Sequence, residues 1–258
     1  MRIAKRLYND FFRPSKIEDY ERVIRTASEC GYEFHSIRSF EQMGGKLESK
    51  KKYFILRRDI DTADMVILRK MLNVEKKYGA RCSYYFRRST MDVDFMREIE
   101  DNGGEASYHY EEIASYCYRY HLKDKNIVLL HMEDIRDTFI SNYFSFKQKT
   151  GCPCLTIASH GDFMNVRLGI RNTAIIDERV RQETGIIREA YDLQHESLLE
   201  RNIADLGDKK FAEEIIGVLK DGYQAVEWLT HPRQWNSPVW INIKEEVSRI
   251  GKGLYMKF

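Results

Sequence analysis

From Tyr53 onward, short apolar runs alternate with longer stretches whose apolar residues recur at helical spacing. "YFILRRD" reads as a strand, "TADMVILRKMLNVEKKYG" as a helix and "ARCSYYF" as a strand. "MDVDFMREIEDNGG" is a helix closed by glycines, "EASYHY" a strand end, "IRDTFISNYFSFKQKTG" a helix and "CLTIASHG" another strand end. After "GIIREAYDL", a candidate strand, come the helix "KKFAEEIIGVLKDG" and the strand "AVEWLTHP", stopped by proline. Strands separated by helices are set up to lie parallel, so the alternation argues for a parallel sheet or barrel and against a sandwich. The expected barrel strands are 53–59, 80–86, 104–109, 153–159 and 225–230. The glycines of "NGGEAS" follow a helix and precede a strand, the reverse of the order a dinucleotide site needs.

Ahead of this alternation, "SKIEDYERVIRTASECG" reads as a helix, with Ser15 as cap and Gly31 as stop. "YEFHSI" is a short strand, "SFEQM" a short helix and "GGKLESKKK" a solvated loop. Nothing in the chain reads as a linker. The expected organisation is a single domain over 1–258, with 1–50 as a helical extension packed on it.

Apolar residues make up 43% and charged residues 32% of 258 residues, a globular balance. The net charge of +2 leaves no footprint for nucleic acid or an acidic membrane surface. There is no apolar run long enough for a membrane span, and "MRIAKRLYNDFFRPSK" lacks the apolar core of a secretory signal. Five cysteines, an odd number, do not suggest a disulfide framework. Reduced thiols in the cytoplasm are the expectation.

The candidate chemistry collects where strands end. In "RRDIDTA", Asp59 and Asp61 are two apart, so in extended backbone they share a face. Two carboxylates so close repel unless a cation lies between them. Further strand ends carry His109 in "SYHYEE", His160 in "ASHGD" and His231 in "LTHP". In a parallel β/α barrel the carboxyl ends of the strands meet at one mouth, where active sites sit. Asp and His are also the donor types that divalent transition metals take. His35, His121, His131 and His195 have no partner at ligand spacing and read as surface or scaffold.

"ILRRDID", "RKMLNVEKKYGARCSYYFRR" and "MREIEDNGGEASYHYEE", together with the closing "LTH", resemble the NodB-homology polysaccharide deacetylase superfamily. The resemblance implies a distorted (β/α) barrel of about seven parallel strands holding a metal-dependent hydrolase site. By position it makes Asp59 the general base, Asp61 and His109 metal ligands, and His231 the general acid. The implied cofactor is a divalent metal, zinc first, with cobalt or manganese as alternatives. The implied substrate is an N-acetylated or O-acetylated sugar of surface-polysaccharide metabolism, with no nucleic-acid or membrane partner.

The sequence departs from that pattern. The superfamily's second histidine, a turn after the first, is replaced by Glu112 and Ile113. His160 is the chosen third ligand, because it ends a neighbouring strand and precedes Gly161; Glu112 is second choice. Asp162 and Asn165, in the following loop, are candidate substrate contacts, and Glu189 or Asp192 a further contribution to the mouth. Arg58 stands where a histidine is usual, and alternation from Asp59 turns it outward. The alternative reading is a non-catalytic carbohydrate-binding or scaffold protein with a degraded metal site.

Overall fold

The computed structural model describes residues 15–44, 47–193, 199–205 and 211–236, with residues 243 and 247. The strands are β1 (Tyr32–His35), β2 (Lys52–Ile60), β3 (Ser83–Phe86), β4 (Glu105–Tyr110), β5 (Thr156–Ser159), β6 (Arg188–Glu189), β7 (Arg201–Ala204) and β8 (Ala225–Thr230). Every recorded pairing is parallel, in the order β6-β5-β4-β3-β2-β8-β7. Seven strands therefore curl side by side as an open, distorted β/α barrel. β1 is the eighth strand. It lines the first half of β2, from Tyr32↔Lys52 to His35↔Ile55, before β3 takes over at Arg57↔Ser83. The segment before residue 50 thus supplies a strand to the sheet as well as helices.

The helices are α1 (Ile17–Glu29), α2 (Ile37–Gln42), α3 (Met65–Tyr78), α4 (Val93–Asp101), α5 (Glu112–Tyr120), α6 (Lys125–Leu130), α7 (Met132–Thr150), α8 (Phe163–Leu168), α9 (Glu178–Thr184), α10 (Ala190–Leu193) and α11 (Phe211–Asp221). Their ends follow local chemistry. Asp64 caps α3 through Val66 and Ile67 N–H, and Gly79 closes it in the left-handed region. Asp92 caps α4 through Phe95 N–H. After α4, Gly103 turns the chain at φ +75°, and a Cβ on Gly104 would come within 2.9 Å of Ile99 Cγ2 and 3.1 Å of the Cys82 carbonyl. That pair of glycines brings helix against strand.

Two expectations are corrected. Lys16, not Ser15, is the N-cap of α1, and the Ser15 hydroxyl instead reaches the Trp235 carbonyl at 3.3 Å. "GIIREAYDL" is only briefly extended: β6 holds two residues before α10 begins.

Alternation along β2 sorts the core. Phe54, Leu56 and Ile60 face outward into the large cluster shared with the helices. Tyr53 and Ile55 face inward, beside Tyr85, Ala158 and Ala225. On α1, Tyr20, Val23, Ile24 and Ala27 form a buried stripe at i, i+3, i+4 and i+7, packed towards α3 and α11. Each such burial contributes about 1.5–3 kcal/mol for the larger side chains. Trp228 stacks on Phe54 at 5.7 Å and meets Tyr20 at 5.5 Å, tying β8 to β2 and α1. These contacts fix the mouth, where β2, β4, β5 and β8 all end.

Candidate functional site

Asp59 and Asp61 project from the end of β2 onto the inner face, as their spacing requires. Arg57, two residues earlier, shares that face. Its Nε and Nη2 donate to the two Asp59 carboxylate oxygens at 2.9 and 2.8 Å. Both residues are buried, and the Arg57 guanidinium also lies 4.3 Å from the Tyr191 ring centroid. Burial alone pushes the Asp59 carboxyl up; the Arg57 charge and hydrogen bonds overcome it, and the net shift is downward.

Three histidines from three strand ends converge on Asp61. His109 Nε2 is 3.4 Å from Asp61 Oδ1 and 3.8 Å from Asp59 Oδ2. His160 Nε2 is 3.5 Å from Asp61 Oδ1, and His231 Nε2 is 3.7 Å from Asp61 Oδ2. The His109 and His160 rings meet edge to face at 5.3 Å. Against the upward push of burial, the His109 contact and the His160 and His231 charges hold the Asp61 carboxyl well below the usual carboxylate range.

The far nitrogen of each ring has its own acceptor. His109 Nδ1 lies 2.9 Å from the Ala158 carbonyl oxygen. A carbonyl only accepts, so Nδ1 donates to it and Nε2 is the nitrogen that faces the site. His231 Nδ1 is 2.7 Å from Asp205 Oδ1, while Asp205 Oδ2 accepts from the His231 N–H at 2.6 Å and the Thr230 hydroxyl at 2.9 Å. Burial depresses the His231 ring, Asp205 raises it more, and the net value is about 9. His160 Nδ1 stands 3.3 Å from Glu111 Oε2, and Arg87 grips Glu111 through Nη2 at 2.7 and 2.9 Å. Burial raises the Glu111 carboxyl, but His160 and Arg87 lower it to about 2.

The predicted constellation is thus brought together: each of Asp59, Asp61, His109, His160 and His231 stands within 3.8 Å of another member of the set. Glu112 turns away. It is buried behind the sheet, where it accepts from the Tyr108 hydroxyl, from Asn142 Nδ2 at 3.0 Å and from the Glu111 N–H at 3.1 Å. Asp162 and Asn165 form the capping box of α8. Asp162 Oδ1 accepts from Met164 N–H at 2.9 Å and Tyr118 hydroxyl at 2.7 Å; Asn165 Nδ2 donates to the Ile170 carbonyl at 3.0 Å. These atoms serve the local fold rather than the centre of the mouth. Glu189 is buried, and Asp192 pairs with Arg181 at 2.6 Å. His35 packs against Phe40 and Tyr53, and His131 pairs with Asp134 on the surface. His121 ends α5 in the left-handed region, at φ +57°. His195 lies outside the described residues.

Sequence reasoning missed Arg57, Asp205, Glu111 and Arg87. Arg57 and Glu111 were within its reach, since Arg57 is two residues from Asp59 on the same face of β2 and Glu111 is two residues from His109, just past the end of β4. Asp205 follows β7, a strand that the sequence analysis left unrecognised.

Do these residues fit a metal? Among the described residues, no group of three or more His, Cys, Asp or Glu side chains forms a ready-made metal cage. The pairwise spacing is nevertheless that of a donor set. Ligands at zinc distances in a tetrahedron are roughly 3.4 Å apart, and Asp61 Oδ1 stands 3.4 and 3.5 Å from His109 and His160 Nε2. Asp61 Oδ1 is also buried without a hydrogen-bond partner, a costly state for a charged oxygen. Asp61, His109 and His160 thus offer the donor types that a divalent cation takes.

Comparison of the chain with protein-family models, with curated proteins and with solved structures gave no match. No helix among the described residues is long and apolar enough to cross a membrane.

Proposed function

We propose that this protein is a metal-dependent hydrolase that removes an acetyl group from an N-acetylated or O-acetylated sugar in surface-polysaccharide metabolism. The reading draws on the sequence resemblance to the NodB-homology superfamily. One structural observation carries it: three histidine Nε2 atoms converge on Asp61, whose buried Oδ1 closes no hydrogen bond, and His109 also reaches Asp59. Asp61, His109 and His160 would hold a divalent cation, zinc first, with cobalt or manganese as alternatives. When bound, it supplies Lewis acidity to a water and to the acyl carbonyl.

The chain's own groups supply the proton transfers. Asp59 takes the proton from the attacking water, and Arg57 holds both its oxygens so that the carboxylate stays charged and aimed. His231 gives a proton to the departing nitrogen or oxygen, since its Nε2 faces the same space while Asp205 holds Nδ1. Each such transfer by a positioned side chain is worth roughly 10²–10⁴-fold in rate. The five unpaired cysteines accord with a reducing compartment, and we place the protein in the cytoplasm on that ground.

The second reading is a carbohydrate-binding or scaffold protein on the same barrel. It is favoured by one observation, the absence of a ready-made cage among the described residues. Acetate release from acetylated sugars, with zinc, cobalt or manganese supplied, separates the two. Release that disappears with Asp61→Asn supports the enzyme; no release from any of them, with sugar binding retained, supports the second reading.

A further inference from the structure

We propose that Glu111, backed by Arg87, is the positioning residue that turns the His160 lone pair towards Asp61. The inference rests on the reading of His160 as a metal donor.

His160 sits at the rim, one residue past β5, with its ring edge to face against that of His109 at 5.3 Å. Its main chain is fixed at both ends. The His160 N–H donates to the Tyr110 carbonyl at 2.8 Å, and Asn172 Nδ2 donates to the His160 carbonyl. What remains free is rotation of the ring and choice of the nitrogen that carries the proton. Glu111 Oε2 stands at Nδ1, and Asp61 Oδ1 stands at Nε2. Glu111, held by Arg87, is the nearer of the two carboxylates, 3.3 Å from Nδ1 against 3.5 Å for Asp61 at Nε2, and so favours the tautomer with the proton on Nδ1 and the lone pair on Nε2. At 3.3 Å the contact is loose, so Nδ1, like Asp61 Oδ1, closes no hydrogen bond in this state. Such contacts tighten when the ligand arrives.

Arg87 explains why Glu111 orients and does not ligate. Its fork holds both Glu111 oxygens, at 2.7, 2.9 and 3.2 Å, so the carboxylate is kept from swinging into the centre. Register puts these groups together. Arg87 and Glu111 each continue the inward alternation of Tyr85 and His109 past the ends of β3 and β4, and β5 places His160 beside them. His109 meets the same need with the Ala158 carbonyl.

The test uses the intact protein and two readouts. Long-range proton–nitrogen NMR of the metal-free protein reads the His160 tautomer, and cobalt(II) titration reads affinity, for wild type, Glu111→Ala and Glu111→Gln. Wild type should carry the proton on Nδ1. Glu111→Ala should move it towards Nε2 and weaken cobalt binding roughly 10–100-fold. Glu111→Gln keeps an accepting oxygen and should restore most of the affinity. A wild-type ring protonated on Nε2, an unchanged tautomer or unchanged affinity in Glu111→Ala, or a loss in Glu111→Gln as large as in Glu111→Ala, would each overturn the proposal. If wild type takes up no cobalt, the metal reading falls, while the tautomer shift still decides whether Glu111 orients the ring.

Discussion

Arg57 and Arg58 are neighbours on β2, and both are fully buried near a carboxyl group. Arg57 faces inward and holds Asp59 by two hydrogen bonds, and the Asp59 carboxyl shifts down. Arg58 faces outward among the helices. It donates to the Tyr20 hydroxyl at 2.7 Å and lies 4.5 Å from the Trp228 ring centroid, while Glu75 is 3.6 Å away. There burial outweighs the arginine, and the Glu75 carboxyl shifts up despite hydrogen bonds from Tyr20 and Tyr84. One strand thus carries a tight ion pair on its inner face and a looser, tyrosine-bridged network on its outer face. The inner arrangement favours the carboxylate form of Asp59, whereas on the outer face burial prevails at Glu75 and the network serves packing.

Removing the inner carboxylate should have the largest effect. Asp59→Asn is expected to lower kcat/KM for acetate release by roughly 10²–10⁴, whereas Glu75→Gln should leave activity per folded molecule unchanged. Equal losses in the two variants would erase the distinction between the faces. Next in size come the arginines, read by urea unfolding. Arg57→Met leaves Asp59 buried and charged and should cost about 3–5 kcal/mol. Arg58→Met should cost about 1–3 kcal/mol, since Glu75 keeps its hydrogen bonds from Tyr20 and Tyr84 and the loss is confined to hydrogen bonds and packing of the arginine. A larger loss in Arg58→Met than in Arg57→Met contradicts the assignment of the tight pair to the inner face.

Glu189, on β6, sharpens the comparison. It accepts from the Ser159 and Tyr191 N–H groups at 2.9 and 2.7 Å, with Arg57 acting on it only at range. Burial pushes its carboxyl up to about 7. A carboxyl raised in the folded state contributes stability that is present below its unfolded value and lost as pH climbs through the folded one. Wild-type stability relative to Glu189→Gln should therefore fall by roughly 1–3 kcal/mol between pH 5 and pH 8. A flat difference across that range would place Glu189 with the compensated carboxylates.

Much of this was legible in the chain because period-two alternation is a strong constraint. Once "YFILRRDIDTA" is a strand, Asp59 and Asp61 must share a face and Arg58 must oppose it. The same rule, applied at strand ends, picked out His109, His160 and His231. What stayed hidden depends on contacts between distant segments. β7 buries only Ile203 of its four residues, so it shows no apolar run of the kind that marks β3 and β5, and Asp205 could not be aligned with His231. Asp162 and Asn165 lie beside His160 in sequence and looked like mouth residues. A helix N-terminus needed them more, and the capping box consumed them. Glu112 sat at a plausible spacing from His109, yet it opens α5, where its side chain turns behind the sheet to Tyr108 and Asn142.

The most direct test of the inner face as a cation site is the metal content of protein purified without chelators, measured by elemental analysis for wild type, Asp61→Asn and Asp59→Asn. The account predicts about one divalent metal per chain in wild type and in Asp59→Asn, and little in Asp61→Asn. Metal-free wild type that takes up no added zinc, cobalt or manganese, or an Asp61→Asn variant as fully loaded as wild type, would contradict it.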